Sequence, residues 1–182
     1  MFIAVELPEE VKGKIGGLIE KLKVSGAAVR WVEQKNLHVT LKFLGWVDDA
    51  RISEVVELTE KTAKGKKAFQ AGFQGIGSFP AGESPRVIWA GINEGGDKFK
   101  QLTEELEKNF SQAGFRSEER GFSSHITIGR VNDNKGVDEL KEKMAALNEV
   151  KLGEALIASV SVMKSTLTPN GPRYEKIKEV RL

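Results

Sequence analysis

Apolar positions recur along this chain with two periods, and the switching between them outlines the fold. Residues 2–7 form a nearly continuous apolar run of strand length. From Glu9 the spacing becomes helical, with Val11, Ile15, Leu18, Ile19 and Leu22 on one face. Pro8 opens this helix, Glu9 and Glu10 favour the positive end of its dipole, and Ser25-Gly26 ends it. Residues 29–32 and 37–44 return to a period of two and predict two strands. Residues 48–64 predict a second amphipathic helix, with Ile52, Val55, Val56 and Leu58 inward. Residues 68–79 read as a glycine-rich strand ending at Pro80, and 86–92 as an apolar strand before a Gly95-Gly96 turn. Residues 97–113 predict a third helix, with Phe99, Leu102, Leu106 and Phe110 inward and Gly114 as its C-cap. A strand over 122–131 and a short helix over 137–147 follow. A strand over 156–167 then meets the turn signal Thr168-Pro169-Asn170-Gly171-Pro172 and hairpins onto a last strand at 174–182.

Two of these predicted strands carry the same phrase. Leu37-His38-Val39-Thr40-Leu41 and Ser124-His125-Ile126-Thr127-Ile128 both read His, apolar, Thr, apolar, and the chain has no other histidine. In a strand, His and Thr then share one face and the apolar residues the other. The copies lie about half a chain apart, which suggests two similar halves lending one marked strand each to a shared cleft, with helices on the outer sheet faces. No strong identity between the halves extends beyond the marked strands.

This pattern points to phosphodiester chemistry. Imidazole titrates near neutrality, so one ring can act as base and the other as acid. In-line displacement at phosphorus puts the attacking and leaving oxygens on opposite sides, which calls for one histidine from each side of the cleft. The two threonine hydroxyls are suited to donate to the non-bridging oxygens. A zinc site would need a third or fourth ligand, and neither a cysteine nor a His-Glu-x-x-His segment is present. The residues alone leave open a metal-free phosphodiesterase and a nucleotide-binding module with little catalysis.

Composition narrows the picture modestly. With 182 residues, 40% apolar and 30% charged, the chain can bury a core and is not of disordered type. A net charge of +2 is too mild to argue nucleic-acid binding by itself. The absence of cysteine suits the cytoplasm, the first apolar run is too short for a signal peptide, and no stretch approaches a membrane span.

The marked strands resemble the signature of the 2H phosphoesterase superfamily, named for two His-x-Thr-x motifs. The wider match is to its RNA 2′,3′-cyclic phosphodiesterase (2′-5′ RNA ligase) family, of archaeal and bacterial type. It is carried by Phe2-Ile3-Ala4-Val5-Glu6-Leu7-Pro8, Asn36-Leu37-His38-Val39-Thr40-Leu41-Lys42-Phe43-Leu44-Gly45, Phe79-Pro80 and Pro85-Arg86-Val87-Ile88-Trp89-Ala90-Gly91. His125-Ile126-Thr127-Ile128-Gly129-Arg130, Ser165-Thr166-Leu167, Gly171-Pro172 and Tyr174-Glu175 complete it, nearly end to end. One departure is Ser124, where that family often has Pro.

The resemblance implies an α+β fold, bilobal with a pseudo-twofold, in which two mostly antiparallel sheets face a central cleft and helices cover the outer faces. Residues 1–182 are then one bilobal domain. It implies hydrolysis of a terminal 2′,3′-cyclic phosphate to a 2′-phosphate without metal or other cofactor, and joining of RNA ends in a 2′-5′ linkage without ATP. The partner is RNA with a cyclic phosphate end, tRNA halves among the candidates, acted on by a monomer. By motif, His38 and His125 are catalytic, and Thr40, Thr127 and Arg130 bind phosphate. His38 is favoured as the acid on the 3′ oxygen and His125 as the base on water, although pseudo-symmetry leaves the reverse assignment open. Lys42, on the His38 face by simple alternation, would add positive potential. Arg130, off the His125 face by the same count, must reach the phosphate from the strand end. Arg86 and Tyr174 are further candidates for contact with RNA, whereas Trp31, Trp89 and Phe79 are read as core.

Overall fold

A computed structural model describes residues 1–118, 121–169 and 171–182. Asn170, in the predicted hairpin turn, lies outside the described residues. Among the described residues, nine strands and four helices follow in the order β1 (Phe2–Glu6), α1 (Glu9–Lys23), β2 (Val29–Trp31), β3 (His38–Phe43), α2 (Ile52–Ala63), β4 (Phe69–Phe79), β5 (Val87–Glu94), α3 (Gly96–Gln112), β6 (His125–Val131), α4 (Val137–Ala146), β7 (Lys151–Ile157), β8 (Ser159–Thr168) and β9 (Gly171–Arg181). Short 3-10 turns precede β3 (Gln34–Asn36) and α2 (Asp49–Arg51).

The strands form two sheets, and every pairing within them is antiparallel. The first has the order β3-β1-β8-β9 and the second β2-β6-β5-β4-β7. Helices α2 and α3 pack on the first sheet, against β8, β9 and β3, while α1 packs on β7 of the second sheet and on α4. The chain therefore crosses between lobes repeatedly. α1 leaves β1 in one sheet to cover the other, and α3 leaves β5 in the second sheet to cover the first. The inner faces of both sheets and the helices share one continuous apolar core, from Ile3 and Val5 through Phe99 and Phe110 to Ile126 and Ile128.

The predicted elements are present, with three physical corrections. The single strand expected over 156–167 is two strands. β7 pairs with β4 in the second sheet, and after Ala158 β8 pairs with β1 in the first. Apolar alternation runs through that junction, so it gives no sign that the partner changes. The inward face of α2 is Val55, Thr59, Thr62 and Ala63, with Ile52, Val56 and Leu58 only half-buried. Both threonines can point inward because their hydroxyls donate to the carbonyls of Val55 and Leu58 one turn back, at 2.7 and 2.8 Å. The Gly95-Gly96 turn passes directly into α3, with Gly95 in the left-handed region at φ 76°. α3 ends as expected: Gly114 is left-handed at φ 79°, and the Phe115 N–H returns to the Phe110 carbonyl.

Candidate active site

β3 and β6 present the two marked motifs in the same local geometry. Each imidazole bends back on its own chain, so that Nδ1–H of His38 donates to the Asn36 carbonyl at 2.7 Å and Nδ1–H of His125 to the Ser123 carbonyl at 2.8 Å. In both copies the acceptor lies two residues before the histidine. A ring that donates from Nδ1 carries its free lone pair on Nε2, so both rings hold the tautomer needed to take or give a proton at Nε2. Thr40 Oγ1 lies 2.9 Å from His38 Nε2, donating to it when the ring is neutral and accepting from Nε2–H when the ring is protonated. The rings are braced by aromatic neighbours. Phe2 stacks on His38 at 5.0 Å between centroids and Tyr174 meets it edge-on at 5.5 Å. Phe79 meets His125 edge-on at 5.1 Å.

One extra residue follows the motif in each strand. β1 pairs Ala4 with Thr40 but Ile3 with Lys42, which leaves Leu41 as a bulge. β5 pairs Trp89 with Thr127 but Ile88 with Gly129, which leaves Ile128 as a bulge at the same motif position. A bulge reverses the facing of every residue after it. Two expectations are corrected on this ground. Lys42 does not share the face of His38; it is 3% exposed beneath α3, where Nζ meets Glu107 at 2.5 Å and the Arg116 carbonyl at 3.2 Å. Arg130 does not point away from His125. It is exposed on the histidine side, and its charge acts on both His125 and Tyr174. The residue equivalent to Arg130 after the first motif is Phe43, also exposed and near Phe2.

The two lobes meet at this point. Tyr174 from the first sheet touches His38 and lies within the field of Arg130 from the second, and the charge of His125 bears on His38. Burial pushes the pKa of His38 below the ordinary imidazole value, opposed by the Asn36 carbonyl and the Glu6 carboxylate and reinforced by Lys12 and His125. Burial also lowers His125, opposed by the Ser123 carbonyl and reinforced by Arg130. Burial raises the Tyr174 phenol, with Arg130 opposing. Thr127 is half-buried, opposite Trp89 on β5. The indole of Trp89 in turn lies flat over Gly77 of β4, where a Cβ would come within 2.2 Å of the ring. Arg86 is exposed just before β5, and its backbone bonds to Phe79 and Val131 are what place it. It does not border the cleft described below.

The cleft beside His38 is also lined by residues that the sequence reading did not select. Glu6 faces His38 across the β1–β3 pair and accepts from Ser161 Oγ at 3.0 Å and Lys176 Nζ at 2.5 Å. Lys12 reaches in from the first turn of α1 with only 10% of its side chain exposed. A sequence signal for Lys12 did exist. It falls three and seven residues before Ile15 and Ile19, on the inward stripe of α1.

A family model described as the 2′-5′ RNA ligase superfamily matches residues 10–167. This chain belongs to that superfamily. Similar members named RNA 2′,3′-cyclic phosphodiesterase come from Methanothermobacter thermautotrophicus (35% identical, covering 100% of this chain and 97% of the relative) and Thermotoga maritima (39%, covering 98% and 92%). Among solved structures, TT0787 of Thermus thermophilus superposes with a TM-score of 0.84 at 26% identity, covering 100% of this chain and 96% of that one. E. coli LigT complexed with 3′-AMP shares the superfamily fold at a TM-score of 0.79 and 23% identity, covering 100% and 96%.

Proposed function

We propose that this protein is an RNA 2′,3′-cyclic phosphodiesterase, in which the paired imidazoles carry both proton transfers. The observation behind this is the matched geometry of His38 and His125: two rings from two sheets, each tautomer-locked by a carbonyl two residues back, with Nε2 left for chemistry. His125 Nε2 takes a proton from water as its oxygen bonds to phosphorus. The bond from phosphorus to the 3′ oxygen breaks, and His38 Nε2 gives that oxygen its proton. The product is a 2′-phosphate with a free 3′-hydroxyl, and solvent exchange resets both rings. Thr40, Thr127 and Arg130 donate to the non-bridging oxygens, where charge grows. Because side chains supply both transfers, the step needs no metal. A 5′-hydroxyl entering in place of water yields a 2′-5′ linkage without ATP, and water at bulk concentration favours hydrolysis.

The acid and base roles follow from how the pseudo-symmetry is broken. A carboxylate, Glu6, faces His38, while its counterpart opposite His125 is Gly91. A guanidinium, Arg130, stands near His125, where the His38 side has Phe43. Burial lowers both rings, but Glu6 opposes the loss of the His38 proton while Arg130 adds to the loss at His125, an asymmetry that favours His38 as the acid and His125 as the base.

The test is a product assay on an oligoribonucleotide with a 2′,3′-cyclic end. His38→Ala and His125→Ala should each remove turnover, Arg130→Ala should lower kcat about a hundredfold, and EDTA should change nothing. Turnover retained in either histidine variant rules the mechanism out, and binding without product would favour an RNA-end-binding module.

A further inference from the structure

The lobe of the cleft beside His38 is larger than a cyclic phosphate needs. It encloses about 540 Å³, bounded by the first sheet, the turn before β3 and the first turn of α1, and none of its described lining comes from β5 or β6. In-line displacement says what belongs there. Water enters opposite the departing 3′ oxygen, so the ribose stays on the side of the acid. With His38 as that acid, the terminal nucleoside and the RNA 5′ to it extend into this lobe.

The charged lining consists of Lys12, Lys35, Arg173 and Lys176 with Glu6 and Glu33. Lys35 pairs with Glu33 at 2.7 Å and Lys176 with Glu6 at 2.5 Å. Lys12 is placed differently. Its carboxylate partner, Glu9 at 3.0 Å, is 79% exposed and does not border the cleft, although the lysine side chain itself is nine-tenths buried. Lysine is rarely buried to this degree unless it is well paired, since desolvating an ammonium is costly. An anion in the cleft would complete its pairing. The first anion met along the RNA from a cyclic end is the phosphate on the 5′ oxygen of the same nucleotide.

We propose that Lys12 binds this 5′ phosphate, so that the protein selects RNA ends over 2′,3′-cyclic mononucleosides; the inference rests on the phosphodiesterase reading above. The deciding experiment compares adenosine 2′,3′-cyclic phosphate with and without a 5′-phosphate as substrate for the wild type, Lys12→Met and Lys12→Arg. In the wild type the 5′-phosphate should raise kcat/KM about tenfold, chiefly through KM, and the gain should shrink as salt is added. Lys12→Met should reduce the gain below about twofold, and Lys12→Arg should keep most of it. A wild-type gain near one, or a full gain surviving in Lys12→Met, overturns the proposal. Should Lys12→Met fail to fold by circular dichroism, a wild-type gain insensitive to salt overturns it instead. A wild type that hydrolyses the cyclic-ended oligoribonucleotide but neither mononucleotide also overturns it, whereas failure on the oligoribonucleotide as well is a separate result, which sinks the phosphodiesterase reading itself.

Discussion

At the scale of single residues, the two imidazoles share a geometry but not an environment. Both pKa values lie below the ordinary imidazole value of 6.5 because both rings are partly desolvated. The proposed mechanism requires His38 protonated and His125 neutral in the free enzyme. kcat/KM should therefore rise as His125 loses its proton, fall as His38 loses its own, and peak on the acid side of pH 6.5. A bound phosphate anion favours the protonated rings, so the kcat profile should lie at higher pH. Glu6→Gln removes the carboxylate facing His38 and should move the basic limb of kcat/KM to lower pH. A basic limb unmoved by Glu6→Gln would show that Glu6 does not tune the acid. The same shifts set a sign for stability. Below pH 6.5 the unfolded chain binds protons that the folded rings resist, so the unfolding midpoint should drop as pH falls through that region.

At the scale of elements, the paired bulges decide which side chains enter the cleft, and here the sequence was least readable. The histidines and threonines precede the bulges, so simple alternation placed them correctly on one face. Lys42 and Arg130 follow the bulges, so the same count placed both on the wrong face. Leu41 and Ile128 look like ordinary alternating apolar residues, and nothing in their composition marks an extra position. The strand junction at Ala158 was hidden for the same reason: local pattern encodes alternation but not the partner strand. Glu6 was out of reach as well, since its importance depends on facing His38 across the sheet. Lys42, turned inward, becomes a structural tie. It joins β3 to Glu107 on α3, and Glu107 in turn accepts the Glu118 N–H at 3.0 Å. Glu107→Gln leaves the Lys42 ammonium buried beside a neutral amide and should destabilise the protein by roughly 3 kcal/mol in urea unfolding. A loss under about 1 kcal/mol would mean that the pair is effectively solvated.

At the scale of the whole molecule, the proposed mechanism requires two lobes to keep their histidines in register, and the connectivity bears on this directly. Each sheet contains strands from both halves of the chain: β8 lies beside β1, and β6 beside β2. Helices α1 and α3 cross in opposite directions, so each sheet is covered in part by a helix that leaves a strand of the other. The apolar core runs without interruption between the two sheets. Removing either half would strip strands and a covering helix from the other, so the lobes should not unfold separately. Calorimetric and van't Hoff enthalpies of unfolding should agree, and far-ultraviolet circular dichroism should lose signal together with tryptophan fluorescence, which reports on the second sheet through Trp31 and Trp89. Two resolved transitions would mean that the lobes hold together only through their contact at the cleft. The His38–His125 spacing would then be set by bound substrate, whereas a single transition leaves it set by the fold before RNA arrives.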